Sequence, residues 1–80
     1  MPHLPDDDAW LLERRRAIGD RIRVTRLRQN MTQEALHLSA GLSRATLQGI
    51  EAGTRDARIS SLIKIARVLG VHVTDLLRGY

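Results

Sequence analysis

Eighty residues with no Cys make one small domain in which neither a disulfide framework nor a thiolate metal site is available. A domain of this size buries only about 60% of the surface its unfolded chain exposes, so modest stability is expected. The net charge of +4 hides an asymmetry: 4 of the 9 acidic residues (Asp6, Asp7, Asp8, Glu13) precede Arg14, while all 13 basic residues lie from Arg14 onward, 13 against 5, or +8. Lys64 is the only Lys, and the planar fork of Arg suits phosphate and guanine. The alternative reading is that the Arg enrichment reflects genome base composition, which does not account for the positive balance.

Met1 to Leu12 is acidic and has no apolar run of membrane length, so neither a membrane span nor a secretory signal is expected, and the cytoplasm is the default location. Residues 1–12 read as an arm and the start of a first helix, and residues 13–80 as the domain. Met1–Pro5, with two prolines, is expected to be loose. Asp6 to Asp8 read as a helix cap; a metal site with His3 lacks further ligands at helical spacing. The first helix is expected from Asp7 or Asp8 to Gln29, weakened at Gly19 and open to a break there. Ile18 and Ile22, with Thr25 beside them, form its inward stripe. Val24 and Leu27 lie on another face, where they suit a partner, the N-terminal segment or ordinary exposure.

Asn30 is expected as a left-handed cap and Met31 as a core residue. Thr32 then caps a second helix of good formers, Gln33, Glu34, Ala35 and Leu36, which Gly41 ends. Ser43 caps a third helix, closed by Gly53. Leu36, Ala40, Leu42, Leu47 and Ile50 bury one face of each helix against the other, and Arg44, Ala45, Gln48 and Gly49 point outward. Thr54–Arg58 reads as a loop. Ile59–Leu69 is a fourth helix, with Ile59, Leu62, Ile65, Ala66 and Leu69 at the spacing of a buried face. Gly70 ends it, and Val73–Leu77 is a short fifth. Val71-His72-Val73 is too short for a convincing strand, so the fold class is all-α.

Thr32-Gln33-Glu34, then Gly41-Leu42-Ser43-Arg44, then Ile50-Glu51-Ala52-Gly53 resemble the helix-turn-helix of the phage-repressor (Cro/C1, XRE-type) family, and the similarity runs from about Ile18 to Leu77. The resemblance implies a five-helix DNA-binding domain with the motif at about residues 32–53, in a chain of bacterial or phage origin. It implies a sequence-specific reader of double-stranded DNA, a transcriptional regulator expected to repress, acting as a homodimer on an inverted repeat. The second helix of such a motif presents its N-terminal residues to base edges in the major groove. Here Arg44 can take guanine, Ala45 a thymine methyl and Gln48 adenine, while Gly49 allows close approach. Gln33, Ser43, Thr46, Arg55 and Arg58 are the expected phosphate contacts. Arg26 is expected to pair with Glu51 and to hold its head near a phosphate.

The same resemblance places the dimer interface on Val71, Val73, Leu76, Leu77 and Tyr80, with Trp10, Leu11, Val24 and Leu27 as second choice. Six positions depart from the family pattern: Val24 and Leu27 stand where polar residues are usually exposed, Asn30 where Gly is usual, His37 where Ala is favoured, Ala57 where Pro is frequent, and Arg58 where a Ser-type cap is usual. His37 must either splay the two helices or make a specific hydrogen bond. Phage repressors, restriction–modification controllers and antitoxins all fall within the resemblance. The alternative class is a protein-interaction module, antitoxin-like, that keeps the fold and binds a toxin or other partner. Enzyme chemistry is not expected: there is no Cys nucleophile and no phosphate-binding Gly loop, and His3, His37 and His72 lie far apart. No cofactor and no metal are expected.

Overall fold

The computed structural model describes residues 7–78; the arm Met1–Pro5, Asp6, His3 and Tyr80 lie outside the described residues. Five helices follow one another: α1 Asp7–Arg28, α2 Gln33–Ala40, α3 Arg44–Ala52, α4 Ile59–Leu69 and α5 Val73–Leu77. Among the described residues there is no strand, and no helix is long and apolar enough to cross a membrane.

Local chemistry sets the boundaries. The Thr32 hydroxyl accepts the Ala35 N–H at 3.0 Å and opens α2, and the Ser43 hydroxyl accepts the Thr46 N–H at 3.0 Å and opens α3. Each satisfies one of the backbone donors that a helix start leaves without a partner. Gly41, Gly53 and Gly70 end α2, α3 and α4 with left-handed φ of 69°, 75° and 71°. Asn30, at φ 56°, does the same service after α1 with a side chain that tolerates the left-handed region. At α5 the Asp75 carboxylate accepts the His72 N–H at 3.0 Å and the Arg78 guanidinium at 2.7 Å. The His72 backbone bond, and then the Arg78 bond, hold its carboxyl below the ordinary carboxylate range. Arg21, from α1, donates to the carbonyls of Asp75 and Arg78 at 3.2 and 2.7 Å and ties α5 down.

The core is Ile22 of α1, Leu36 of α2, Leu47 and Ile50 of α3, Leu62, Ile65, Ala66 and Leu69 of α4, and Leu76 of α5. Ile18, Met31 and Leu42 pack against it, half-buried. The α4 and α5 boundaries are those expected, and the departures at Ala57 and Arg58 do not displace the start of α4. Ala57 packs on the core, and Arg58 takes the N-cap geometry without a side-chain capping bond.

Three expectations are corrected. First, α1 does not break at Gly19 but runs unbroken for 22 residues. A Cβ on Gly19 would stand 2.5 Å from the Glu51 carbonyl oxygen and nearer still to that of Ile50. The glycine is there for close approach of α1 to the end of α3, and packing outweighs its poor helix propensity. Secondly, Ile59 is not part of the buried face of α4 and is 64% exposed; Ser61 is buried in that helix instead. Ile59 is the first residue of α4 and projects beyond the layer its neighbours pack into. Thirdly, Leu76 is 1% exposed within its own chain. It is a core residue and offers no surface to a second copy.

Candidate nucleic-acid interface

Helix α3 presents two unlike faces. Leu47, Ile50 and Glu51 are buried, whereas Arg44, Ala45 and Gln48 are exposed together on the outer side. The buried face is fixed by polar contacts as well as apolar ones. Arg26 donates from Nε to Glu51 Oε2 at 2.9 Å and from Nη2 to Oε1 at 3.0 Å, a paired bond between residues each 7% exposed. Its Nη1 donates to the Met31 carbonyl at 2.9 Å. Gln33 Nε2 donates to Glu51 Oε1 at 3.0 Å. Helices α1 and α2 therefore converge on one carboxylate near the C-terminus of α3, and the turn between them is tied to the same guanidinium.

Glycines bring the backbones close at the same place. Gly53 lies against Arg16 of α1, where an added Cβ would stand 2.7 Å from the Arg16 Cα. With Gly19 on the other side of the contact, α1 and the last turn of α3 meet backbone to backbone. Neither helix can rotate without a clash or a broken ion pair.

The turn between α2 and α3 is clamped by His37. Its Nδ1 lies 3.0 Å from the Leu42 carbonyl oxygen, to which it donates when Nδ1 carries the proton, and its own carbonyl accepts the Leu42 N–H at 2.9 Å. Of the two expectations for His37, the specific hydrogen bond is the one realised.

The N-terminal edge of α3 is rich in donors. The Ser43 hydroxyl donates to Thr46 Oγ1 at 2.7 Å, and Arg55 Nη1 approaches the same oxygen at 3.5 Å. Ser43, Thr46, Arg55, Arg58, Ser60 and Lys64 line a recess of about 410 Å³ between the starts of α3 and α4. Sequence reasoning missed Ser60 and Lys64; their spacing of four on one face of α4 was the available signal. Gly49 is half-buried, because Arg55 covers it. Arg26 lies apart from this edge, with its donors spent inside the protein. Gln33 sits at the start of α2 with its amide turned to Glu51.

The expected dimer residues divide. Leu76 is in the core, Val71, Val73 and Leu77 are half-buried against it, and Tyr80 lies outside the described residues. Of the second set, Trp10 is 55% and Leu27 50% exposed, and Arg14 stacks on the Trp10 ring at 5.2 Å. Among the described residues no group of three or more His, Asp or Glu is arranged to hold a metal ion.

Comparison with known proteins agrees with this geometry. The helix-turn-helix family model matches residues 22–76. The control protein C.BamHI of Bacillus amyloliquefaciens is 40% identical over 60 residues, 74% of either chain. The control protein C.SmaI of Serratia marcescens is 30% identical over 74 residues, 92% of this chain and 88% of that one. The crystal structure of the restriction-modification controller protein C.AhdI from Aeromonas hydrophila superposes with a TM-score of 0.75 at 29% identity, covering 78% of this chain and 94% of that one. An exposed α3 held on a rigid frame, and a family match that runs from the last two turns of α1 into α5, lead to one conclusion: the chain belongs to the Cro/C1 (XRE-type) helix-turn-helix family of DNA-binding transcription regulators, not to an enzyme family.

Proposed function

We propose that the protein is a controller-type regulator that reads an inverted-repeat operator as a homodimer and sets the transcription of restriction–modification genes. The observation that carries this reading is the exposed trio Arg44, Ala45 and Gln48 on a helix whose opposite face is locked. With α3 in the major groove, Arg44 takes guanine O6 and N7, Gln48 takes adenine N6 and N7, and Ala45 touches a thymine methyl. Ser43, Thr46, Arg55 and Arg58 hold phosphates, joined by Lys64 from the same recess and by the free backbone N–H groups at the start of α2 beside Gln33. Arg26 acts from within: it fixes α3 through Glu51 and does not itself touch DNA. One such domain spans a short half-site, so a two-fold dimer is the natural route to affinity. Val71, Val73 and Leu77 retain the surface for it. Similarity to three controller proteins supports the restriction–modification assignment.

The test is selection from a randomised duplex library at physiological salt, followed by sequencing. The expected result is an inverted repeat with half-sites about 34 Å, one helical turn, apart. Recovery of no consensus, with binding that disappears as salt rises, would reduce the interaction to charge attraction and end the proposal.

A further inference from the structure

Gly49 sits in the middle of α3, where glycine is among the least favourable residues, and its φ is not left-handed. Its neighbour in space is the loop that follows the helix. The Gly49 carbonyl accepts the N–H groups of Thr54 at 3.0 Å and Arg55 at 3.2 Å, which brings that loop back onto the helix. A Cβ on residue 49 would stand 2.9 Å from Arg55 Cβ and 3.2 Å from Arg55 Nε. The nearest clash is with the root of the Arg55 side chain, not its flexible end. Relief would require the loop itself to move. From that root the side chain runs towards the N-terminus of α3 and brings Nη1 to 3.5 Å from Thr46 Oγ1. The path covers three residues, about 4.5 Å along the helix axis.

We infer that Gly49 is a positioning residue that acts through Arg55: the missing side chain is the slot that lays Arg55 along the recognition helix. A loop arginine ordinarily has to give up considerable rotamer freedom to make a contact. Here the backbone bonds to Gly49 and the slot above it settle the direction of the side chain beforehand. Arg55 thereby joins Arg44 and Gln48 as part of one preformed surface. The inference rests on the DNA-reading proposal for its consequence in binding, but the positioning itself belongs to the free protein.

The test has two readouts. In the free protein, the Arg55 Nε–H resonance shifts and broadens in Gly49→Ala, while that of Arg26, locked to Glu51, is unchanged and reports intact folding. Melting temperature changes little, because the helix propensity gained with Ala is offset by the cost of the displaced loop. An unmoved Arg55 signal overturns the inference, whatever the protein does with DNA. On the selected operator duplex, Gly49→Ala and Arg55→Ala each weaken binding about tenfold, and the double variant is no weaker than Arg55→Ala alone. Equal losses from Gly49→Ala with and without Arg55 would instead mean that residue 49 meets the DNA itself, and would overturn the role assigned to it. Failure of the wild-type chain to select any duplex shows separately, as loss of the DNA-reading proposal with the Arg55 resonance still deciding the positioning.

Discussion

Helices α3 and α4 have nearly the same length, 9 and 11 residues, and both stop at a left-handed glycine. They are held in opposite ways. Helix α4 buries Leu62, Ile65, Ala66 and Leu69 and has no side-chain cap at its start. Helix α3 buries only Leu47 and Ile50 among its apolar side chains, has a Ser43 cap, and is fixed at its far end by Arg26, Gln33 and two glycine contacts. Apolar burial is roughly proportional to area and has no direction. A helix that keeps one face open for a ligand has less area to bury, and it needs its rotation set. Hydrogen bonds and close backbone approach supply the direction that burial lacks.

The comparison can be broken most severely at the ion pair. Arg26→Ala leaves Glu51 charged and buried, and should cost about 3–5 kcal/mol. That is a large share of the stability of a domain this small, and urea unfolding would measure it. Replacing both partners by apolar residues of similar volume should be close to neutral in stability. Operator affinity should nevertheless fall in that double variant, because the direction is gone; an unchanged affinity would show that apolar packing alone orients α3.

Next in size is Ile65→Ala in α4, expected to cost about 2–5 kcal/mol as a buried large-to-small change. Its signature is the reverse: stability falls, and the affinity of the molecules that remain folded does not. Calorimetry and a binding titration at low temperature separate the two quantities. The smallest effect lies at the helix starts. Ser43→Ala should cost about 1 kcal/mol, and Arg58→Ser should gain a similar amount by giving α4 the cap it lacks. On the DNA-reading proposal Arg58→Ser also lowers affinity and removes about one unit of salt slope. Thermal melts and salt titrations of the two variants would test whether Arg58 exchanges capping for charge.

Much of this frame could be read from residue types alone, because its signals are local. Thr32, Ser43, Gly41, Gly53 and Gly70 mark ends of α2, α3 and α4 through side-chain capping or backbone freedom, and the spans of α4 and α5 followed from apolar spacing with Gly70 between them. Asn30 was legible for the same reason. What could not be read depends on neighbours distant in sequence. Gly19 resembles a helix breaker until the carbonyls of Ile50 and Glu51 are beside it. Ile59 fits the apolar period of α4, but a period does not say where the adjoining layer ends. Leu76 belongs to the same apolar set as Val73 and Leu77, and only the placement of α1 and α4 distinguishes core from surface. In the candidate site, exposure of Arg44, Ala45 and Gln48 followed from helical spacing. The turning of Gln33 towards Glu51 and the seating of Arg55 over Gly49 did not, since both are contacts across 18 and 6 residues of chain.

The unbroken first helix has a mechanical consequence. Because α1 has no joint at Gly19 and meets α3 backbone to backbone, the two helices turn as one piece. The nine residues from 7 to 15 extend about 13 Å ahead of that meeting point, with the indole of Trp10 near the tip. This stretch is a continuous extension of the frame that holds α3, since nothing breaks the helix between Trp10 and the contacts of Gly19 and Gly53.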